Sequence, residues 1–230
     1  MHFKSMSHLI EFQKLEKYYE VAGEKIMIIK GVDLVIDEGQ TVAILGKSGS
    51  GKSTMLNILG LLDRHTGGKY LLNDKDVNLY TGDELATIRA RNFGFIFQQF
   101  NLLPKLTVLE NVTAPIYYSR NQERWNNRDK IGMELLERVG IADQAKKYPK
   151  LLSGGQQQRV AITRSLANEP KVIIGDEPTG ALDSKTTEQV IGDIFNLNKD
   201  LGVTFILVTH DEELATKCHK IVHLKDGVVV

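Results

Sequence analysis

The run Gly46-Lys47-Ser48-Gly49-Ser50-Gly51-Lys52-Ser53 constrains this chain more than any other stretch. It fits the pattern G-x-x-x-x-G-K-[ST] and lies between an apolar β-branched run, Thr41–Leu45, and the stretch Ser53–Leu62. The run has strand character. Met55, Leu56, Ile58, Leu59, Leu61 and Leu62 cover more than one face of the stretch, which predicts a mostly buried helix. A strand, a glycine-rich turn and a helix together make an anion cradle. The glycines let the backbone curl so that several N–H groups point inward, and the helix adds its positive end at the same spot. In such a cradle Lys52 supplies a point charge for β- and γ-phosphates, and the Ser53 hydroxyl can ligate Mg²⁺.

The rest of the chain gives this element a setting. With 230 residues, folding buries roughly 70% of the extended-chain surface, enough for a core without staples. Two further apolar runs, Lys171–Ile174 and Thr204–Val208, read as strands buried on both faces. Strands alternating with helices imply a parallel sheet under helices. The first 40 residues differ: turn-like Glu20–Lys25 and Asp37-Glu38-Gly39 separate short apolar segments, Ile26–Ile29 and Val32–Ile36, which predicts an antiparallel β-element. Residues 98–162 are polar and helix-like, the most polar run being Arg120–Lys130 around Trp125, a partly buried anchor. They form a helical subdomain inserted between core segments 8–97 and 163–230. Asp226-Gly227 between Ile221–Leu224 and Val228–Val230 predicts a terminal hairpin, and the chain stops inside that pattern, as it would if a tail followed. Residues 1–7 have no apolar signal core and are expected to be disordered or appended.

Both apolar runs end in chemistry. Lys171–Ile174 leads to Gly175-Asp176-Glu177, and acids at the carboxyl end of a buried strand lie where ligands bind in open parallel sheets. Asp176 suits a direct or water-mediated Mg²⁺ contact, and Glu177 can take a proton from an attacking water. Thr204–Val208 leads to Thr209-His210-Asp211, which sets His210 at the same kind of edge, within reach of a γ-phosphate. A second anion surface is encoded at Leu152-Ser153-Gly154-Gly155-Gln156. Ser153 is an N-cap for a helix running to about Asn168, and two glycines then bare N–H groups at the positive end.

With these motifs in this order and spacing, the sequence resembles the ATP-binding cassette ATPases over nearly its whole length, from about His8 to Val230. The resemblance implies a P-loop NTPase fold of class α/β, a RecA-like parallel sheet core with an N-terminal antiparallel β-subdomain and an inserted helical subdomain. It implies ATP and Mg²⁺ as cofactors and ATP hydrolysis as the activity. Lys52, Ser53 and the neighbouring Thr54 fall in the phosphate-binding set. Gln98 looks like the glutamine that links Mg²⁺ to the helical subdomain, Asp183 like the D-loop aspartate, and His210 like the switch histidine. Tyr19, with Tyr18 as the alternative, matches the aromatic that stacks on adenine. Glu177 would be the catalytic base. In this family two cassettes pack head to tail, each ATP lying between one chain's phosphate loop and the other's LSGGQ. The one local departure is Gly175, where the family often has alanine.

The wording Phe97–Pro104, Leu109–Val112 and Asp176–Lys185 looks like the branch serving macrolide and peptide exporters, lipoprotein release and bacitracin-type resistance. That branch implies an integral membrane permease with a large extracytoplasmic domain, with or without a membrane-fusion protein, and a place at the cytoplasmic face of the membrane. Phe100, Leu102, Leu103 and Leu106 are apolar anchors for the permease's cytoplasmic helix, or else pack inside the helical subdomain. With 29 basic and 29 acidic residues, the chain is no globally basic nucleic-acid binder, and no nucleic-acid partner is expected. One cysteine, Cys218, excludes an intramolecular disulfide. The competing reading is a cell-division type of cassette that regulates a membrane partner without moving a solute.

Overall fold

The computed structural model describes residues 8–119 and 121–230, so the expectation for residues 1–7 lies outside the described residues. In chain order the elements begin with β1 (Ile10–Val21), β2 (Glu24–Ile36), β3 (Thr41–Leu45), α1 (Lys52–Leu59), β4 (Gly67–Leu72), β5 (Lys75–Asp76) and α2 (Gly82–Asn92). There follow β6 (Phe93–Phe97), α3 (Val108–Tyr118), α4 (Gln122–Asn126), α5 (Arg128–Arg138) and α6 (Gly154–Leu166). The last are β7 (Val172–Asp176), α7 (Ser184–Leu201), β8 (Thr204–Thr209), α8 (Glu212–Thr216), β9 (Lys220–Lys225) and β10 (Val228–Val229). Two compact units result: the described residues up to Ala86 together with Val208–Val230, and the described residues of Thr87–Leu207.

In the first unit β1 pairs antiparallel with β2 and β4, and β4 with β5. The two apolar segments Ile26–Ile29 and Val32–Ile36 merge into one long strand, because Gly31 takes a φ of 72° and lets the backbone pass without a break. The tight turn lies at Ala22 and Gly23, both at positive φ, the pattern that suits a two-residue hairpin. A bulge at Lys14 breaks the alternation, so Phe12 and Leu15 both point inward and are buried. Gly68 faces that bulge, and a Cβ there would lie 2.1 Å from the Lys14 carbonyl oxygen. Strand β3 is buried along its length and runs parallel to β9, with Val42 opposite Lys220 and Leu45 opposite His223. The terminal hairpin forms, and its turn has a second use. Gly227 donates to the Ser50 carbonyl (3.1 Å) and accepts from the Lys30 N–H (2.8 Å), so the hairpin turn braces the phosphate loop from behind.

In the second unit β6 runs parallel to β7, from Phe93 opposite Val172 to Phe97 opposite Asp176. Helix α6 packs against α3, α5, α7 and β6. Its inward positions Val160, Ala161 and Ile162 are buried, as are Val112 and Ile116 of α3 and Leu136 of α5. The approach of α6 to β6 is close because Gly94 has no side chain: a Cβ would lie 2.3 Å from the Ser165 carbonyl oxygen. Thr107 and Glu110 form a capping box at the start of α3, and Gly202, at a φ of 66°, ends α7.

Candidate nucleotide site

The phosphate loop joins β3 to α1. Gly49 and Gly51 take φ values of 79° and 104°, and a Cβ at Gly46 would lie 2.4 Å from the Leu224 carbonyl oxygen. Side chains other than hydrogen do not fit that curl. Helix α1 starts at Lys52 with Gly51 as its N-cap, no side-chain cap and no acid in its first turn. Its first N–H groups are therefore left for an outside acceptor. Lys52 Nζ donates to the carbonyl oxygens of Gly46 (2.6 Å) and Lys47 (2.9 Å), which holds the charge across the loop. Ser53 is exposed in the first turn, while Ser50 is buried under the loop.

Tyr19 lies in the same unit, near the C-terminal end of β1. Its hydroxyl donates to Asp63 Oδ2 (2.8 Å) and interacts with the Thr54 side chain. Burial, and then the Asp63 carboxylate, push its phenol above the ordinary value, while the Thr54 bond works the other way. Tyr18 instead sits under the Lys25 ammonium, and its backbone N–H donates to Thr66 Oγ1. His210, at the end of β8, belongs to this unit and is exposed; the next residue, Asp211, caps α8.

The second unit holds Gln98, the Ser153–Gln156 segment, Asp176, Glu177 and Asp183. Ser153 caps α6, and Gln156 returns the bond to the Ser153 N–H (3.0 Å). That box orients the first turn, and α6 has no acid there. Ser153 and Gly154 are exposed. Gly155 is needed for packing: a Cβ there would lie 2.3 Å from Thr186 Cγ2 of α7. Asp176 is the last residue of β7, and Glu177 follows with a φ of 47°, a strained conformation for a side-chain-bearing residue. Gln98 lies over Gly180, where a Cβ would meet its Nε2 at 2.8 Å, so Gln98 and the Gly180–Asp183 loop are brought together. Asp183 caps α7 through the Thr186 N–H and hydroxyl, and these bonds hold its carboxyl below the ordinary range.

Three residues with no expected site role hold this arrangement. Arg164 of α6 donates to the carbonyl oxygens of Phe100 (2.9 Å) and Asn101 (2.6 Å), both of which have positive φ. Gln158 of α6 donates to the Pro178 carbonyl, one residue beyond Glu177. Buried Asn111 of α3 bonds the backbone of Leu103, Leu106 and Thr107, shaping the loop after Gln98. Nothing local in the sequence marks them, since a polar residue on an amphipathic helix looks the same whether it faces water or a loop carbonyl. The one local signal that could have been used is the T-x-x-E pattern at Thr107, which marks only the start of α3.

The family model described as ABC transporter matches residues 29–180. The chain belongs to the ABC transporter family. YknY of Bacillus subtilis (strain 168), an uncharacterised ABC transporter ATP-binding protein, is 45% identical over 222 residues, 96% of this chain and 95% of that one. The macrolide export ATP-binding/permease protein MacB of Bdellovibrio bacteriovorus is 44% identical over 221 residues, 96% of this chain but 33% of that protein. The cassette thus spans about a third of MacB. Among solved structures, a dimeric post-hydrolysis state of the ATP-binding cassette MJ0796 bound to ADP and phosphate aligns with a TM-score of 0.83 at 44% identity, covering 96% of both chains. Structure cbiO1 from Clostridium perfringens aligns with a TM-score of 0.86 at 29% identity, covering 97% of this chain and 87% of that one. The α/β P-loop NTPase fold expected from the sequence is the fold of these neighbours. The cassette is an ATPase of this family.

Proposed function

We propose that this cassette binds Mg-ATP, pairs head to tail with a second copy around it, and drives a membrane permease of the export type. The observation that carries the reading is the pair of helix N-termini open to an outside anion. Helix α1 begins behind Gly51 with no side-chain cap, α6 begins at Gly154 behind its Ser153 cap, neither has an acid in its first turn, and the second surface, Ser153 and Gly154, faces outward. A chain that uses its own phosphate loop and presents an outward second anion surface suits a two-fold assembly in which both sites come from the same surfaces.

In this reading the loop N–H groups, Lys52, Ser53 and Thr54 bind the phosphates, and Tyr19 stacks on adenine. The tether of Tyr19 to Thr54 favours it over Tyr18. Mg²⁺ suits the donors: it takes hard oxygens, keeps several waters, and binds through one or two protein groups together with phosphates. Ser53, Gln98 and Asp176 would hold it. When bound it neutralises charge on the β- and γ-phosphates. Glu177 takes the proton of the attacking water, and its left-handed backbone supports a functional role at that position. His210 holds the γ-phosphate. Asp183 and the Ser153–Gln156 segment meet the partner copy. The helical subdomain is residues 98–162 within core segments 8–97 and 163–230; its return boundary lies within α6.

The fusion of a cassette to a permease in MacB supports a permease partner here, at the cytoplasmic face of the membrane. Leu103, half exposed on a loop whose backbone Asn111 pins, suits the groove that receives a permease helix, flanked by Phe100, Leu102 and Leu106. A permease with a large extracytoplasmic domain, with or without a membrane-fusion protein, completes the assembly. The test is Glu177→Gln, which keeps shape and removes the base. Light scattering on this variant should move from 25.8 kDa to twice that value only with Mg-ATP. A mass that stays monomeric with nucleotide bound would overturn the self-sufficient ATP dimer.

A further inference from the structure

Tyr19 is not a free aromatic. Lys17 is buried, at 7% exposure, and its ammonium donates to Asp63 Oδ1 (2.8 Å) and to the Arg64 carbonyl oxygen (2.7 Å). The same ammonium lies over one face of the Tyr19 ring, 4.6 Å from its centroid. Asp63 Oδ2 takes the Tyr19 hydroxyl, and the Arg64 N–H donates to Asp63 Oδ1 (2.7 Å). Asp63 sits on the turn that follows α1, and its N–H donates to the Asn57 carbonyl of that helix (3.1 Å). Thr54, in the first turn of α1, interacts with the Tyr19 hydroxyl. The ring is thus held from β1, from the beginning of the phosphate-loop helix and from the turn beyond its end.

We propose that Asp63 and Lys17 are positioning residues for the nucleotide base, fixing the Tyr19 ring relative to the phosphate loop and leaving one of its faces for adenine. The proposal rests on the reading of Tyr19 as the stacking residue. Its physical content is preorganisation. A tyrosine at 38% exposure on a strand end would sample several rotamers, and each must be given up when a base stacks. The hydroxyl bond to Asp63, its interaction with Thr54 and the ammonium on one face select a single orientation before the base arrives. A cation on that face also draws electron density from the ring, which favours stacking of an electron-rich purine on the other. Because the tether runs to α1, the ring is aligned with the phosphate cradle.

The experiment compares Mg-ATP with magnesium tripolyphosphate, which has the phosphates and no base, by calorimetric titration of the full chain. Tyr19→Phe keeps the ring and the Lys17–Asp63 pair and removes only the hydroxyl tether; Asp63→Asn weakens the tether from the other side. Each should lower ATP affinity about fivefold, the order of one ordinary hydrogen bond's net contribution, and leave tripolyphosphate affinity unchanged. The double variant should be no weaker than either single one. Equal losses for both ligands, or an unchanged ATP affinity in Tyr19→Phe, would overturn the positioning role. Tyr19→Ala separates the two layers. It should lower ATP affinity about tenfold or more by loss of stacking. An unchanged ratio of ATP to tripolyphosphate affinity in Tyr19→Ala would sink the stacking reading and the positioning role with it. A loss there without one in Tyr19→Phe would sink the positioning role alone.

Discussion

Adding one methyl group at either of two glycines of the second unit should have very different effects. At Gly175 a Cβ would sit 3.0 Å from Leu207 Cδ2 and 3.4 Å from Pro178 Cγ. The nearest atom is a side-chain tip that can give way. Gly175→Ala should therefore shift unfolding free energy by less than about 1 kcal/mol, and the departure from alanine at this position carries no penalty for the fold. At Gly94 the obstacle is the Ser165 carbonyl of a packed helix. Gly94→Ala should cost about 2–4 kcal/mol; urea melts of the two variants check both values. Asp63 makes a pH prediction. Burial alone would raise its carboxyl, but the bonds from Lys17, Tyr19 and the Arg64 N–H outweigh it and hold the group below its ordinary value. A carboxyl lowered by folding stabilises fully above its unfolded value and loses that contribution as pH falls through the folded one. Wild type should be more stable than Asp63→Asn at neutral pH, and the gap should close below about pH 4. A gap that stayed constant through the acid range would contradict it.

Helix α6 is the element on which the second unit turns. Its N-terminus bears the signature, its middle holds Pro178 through Gln158, and its last turn holds the Phe100–Asn101 backbone through Arg164. Those two residues keep a left-handed backbone, which persists only when neighbours over-determine it. Arg164→Ala removes both charge-assisted bonds and should cost about 3 kcal/mol. Amide exchange should rise first in residues 98–103, and hydrolysis should fall while the phosphate loop still binds nucleotide. Exchange rising uniformly across the unit would instead mean a global packing defect. Much of α6 was legible in the sequence: Ser153 as its cap, the bare glycines, and an end near Asn168. The roles of Gln158 and Arg164 were not, because their partners, Pro178 and the Phe100–Asn101 backbone, lie far along the chain. Strand β6 is not legible in the sequence for a different reason. Phe93–Phe97 is short, broken by Gly94 and fused to the end of α2, so periodicity does not separate it.

For the whole molecule, the proposed head-to-tail pairing has a consequence that one chain alone cannot show. Lys52→Ala spoils the phosphate loop and keeps the signature; Gly154→Asp puts a negative charge at the exposed second surface and keeps the loop. Each variant alone should be inactive, and a mixture should regain part of the hydrolysis, because a mixed pair assembles one intact site. A mixture as inactive as its parts would mean that the signature acts within its own chain. Among the described residues no helix is long and apolar enough to cross a membrane. The proposed attachment to a permease runs through Leu102 and Leu103. Replacing both by serine should leave hydrolysis by the isolated cassette unchanged and weaken capture by the permease.

The sequence by itself determined the phosphate loop, the signature and the acid-bearing strand end. Each is a contiguous string whose residue types are dictated by local demands: positive φ, bare N–H groups, a carboxylate after a buried strand. It also determined the terminal hairpin, since Asp226-Gly227 encodes its own turn. Only the tertiary structure decided what secures those strings. Gly227 braces the loop through Ser50, Asp63 and Lys17 hold Tyr19, Asn111 shapes the loop after Gln98, and Arg164 pins the backbone beside it. Most of these contacts join residues distant in the chain, and those of Gly227, Asn111 and Arg164 run to backbone groups, which every residue type possesses. Their partners therefore leave no mark in the residue letters.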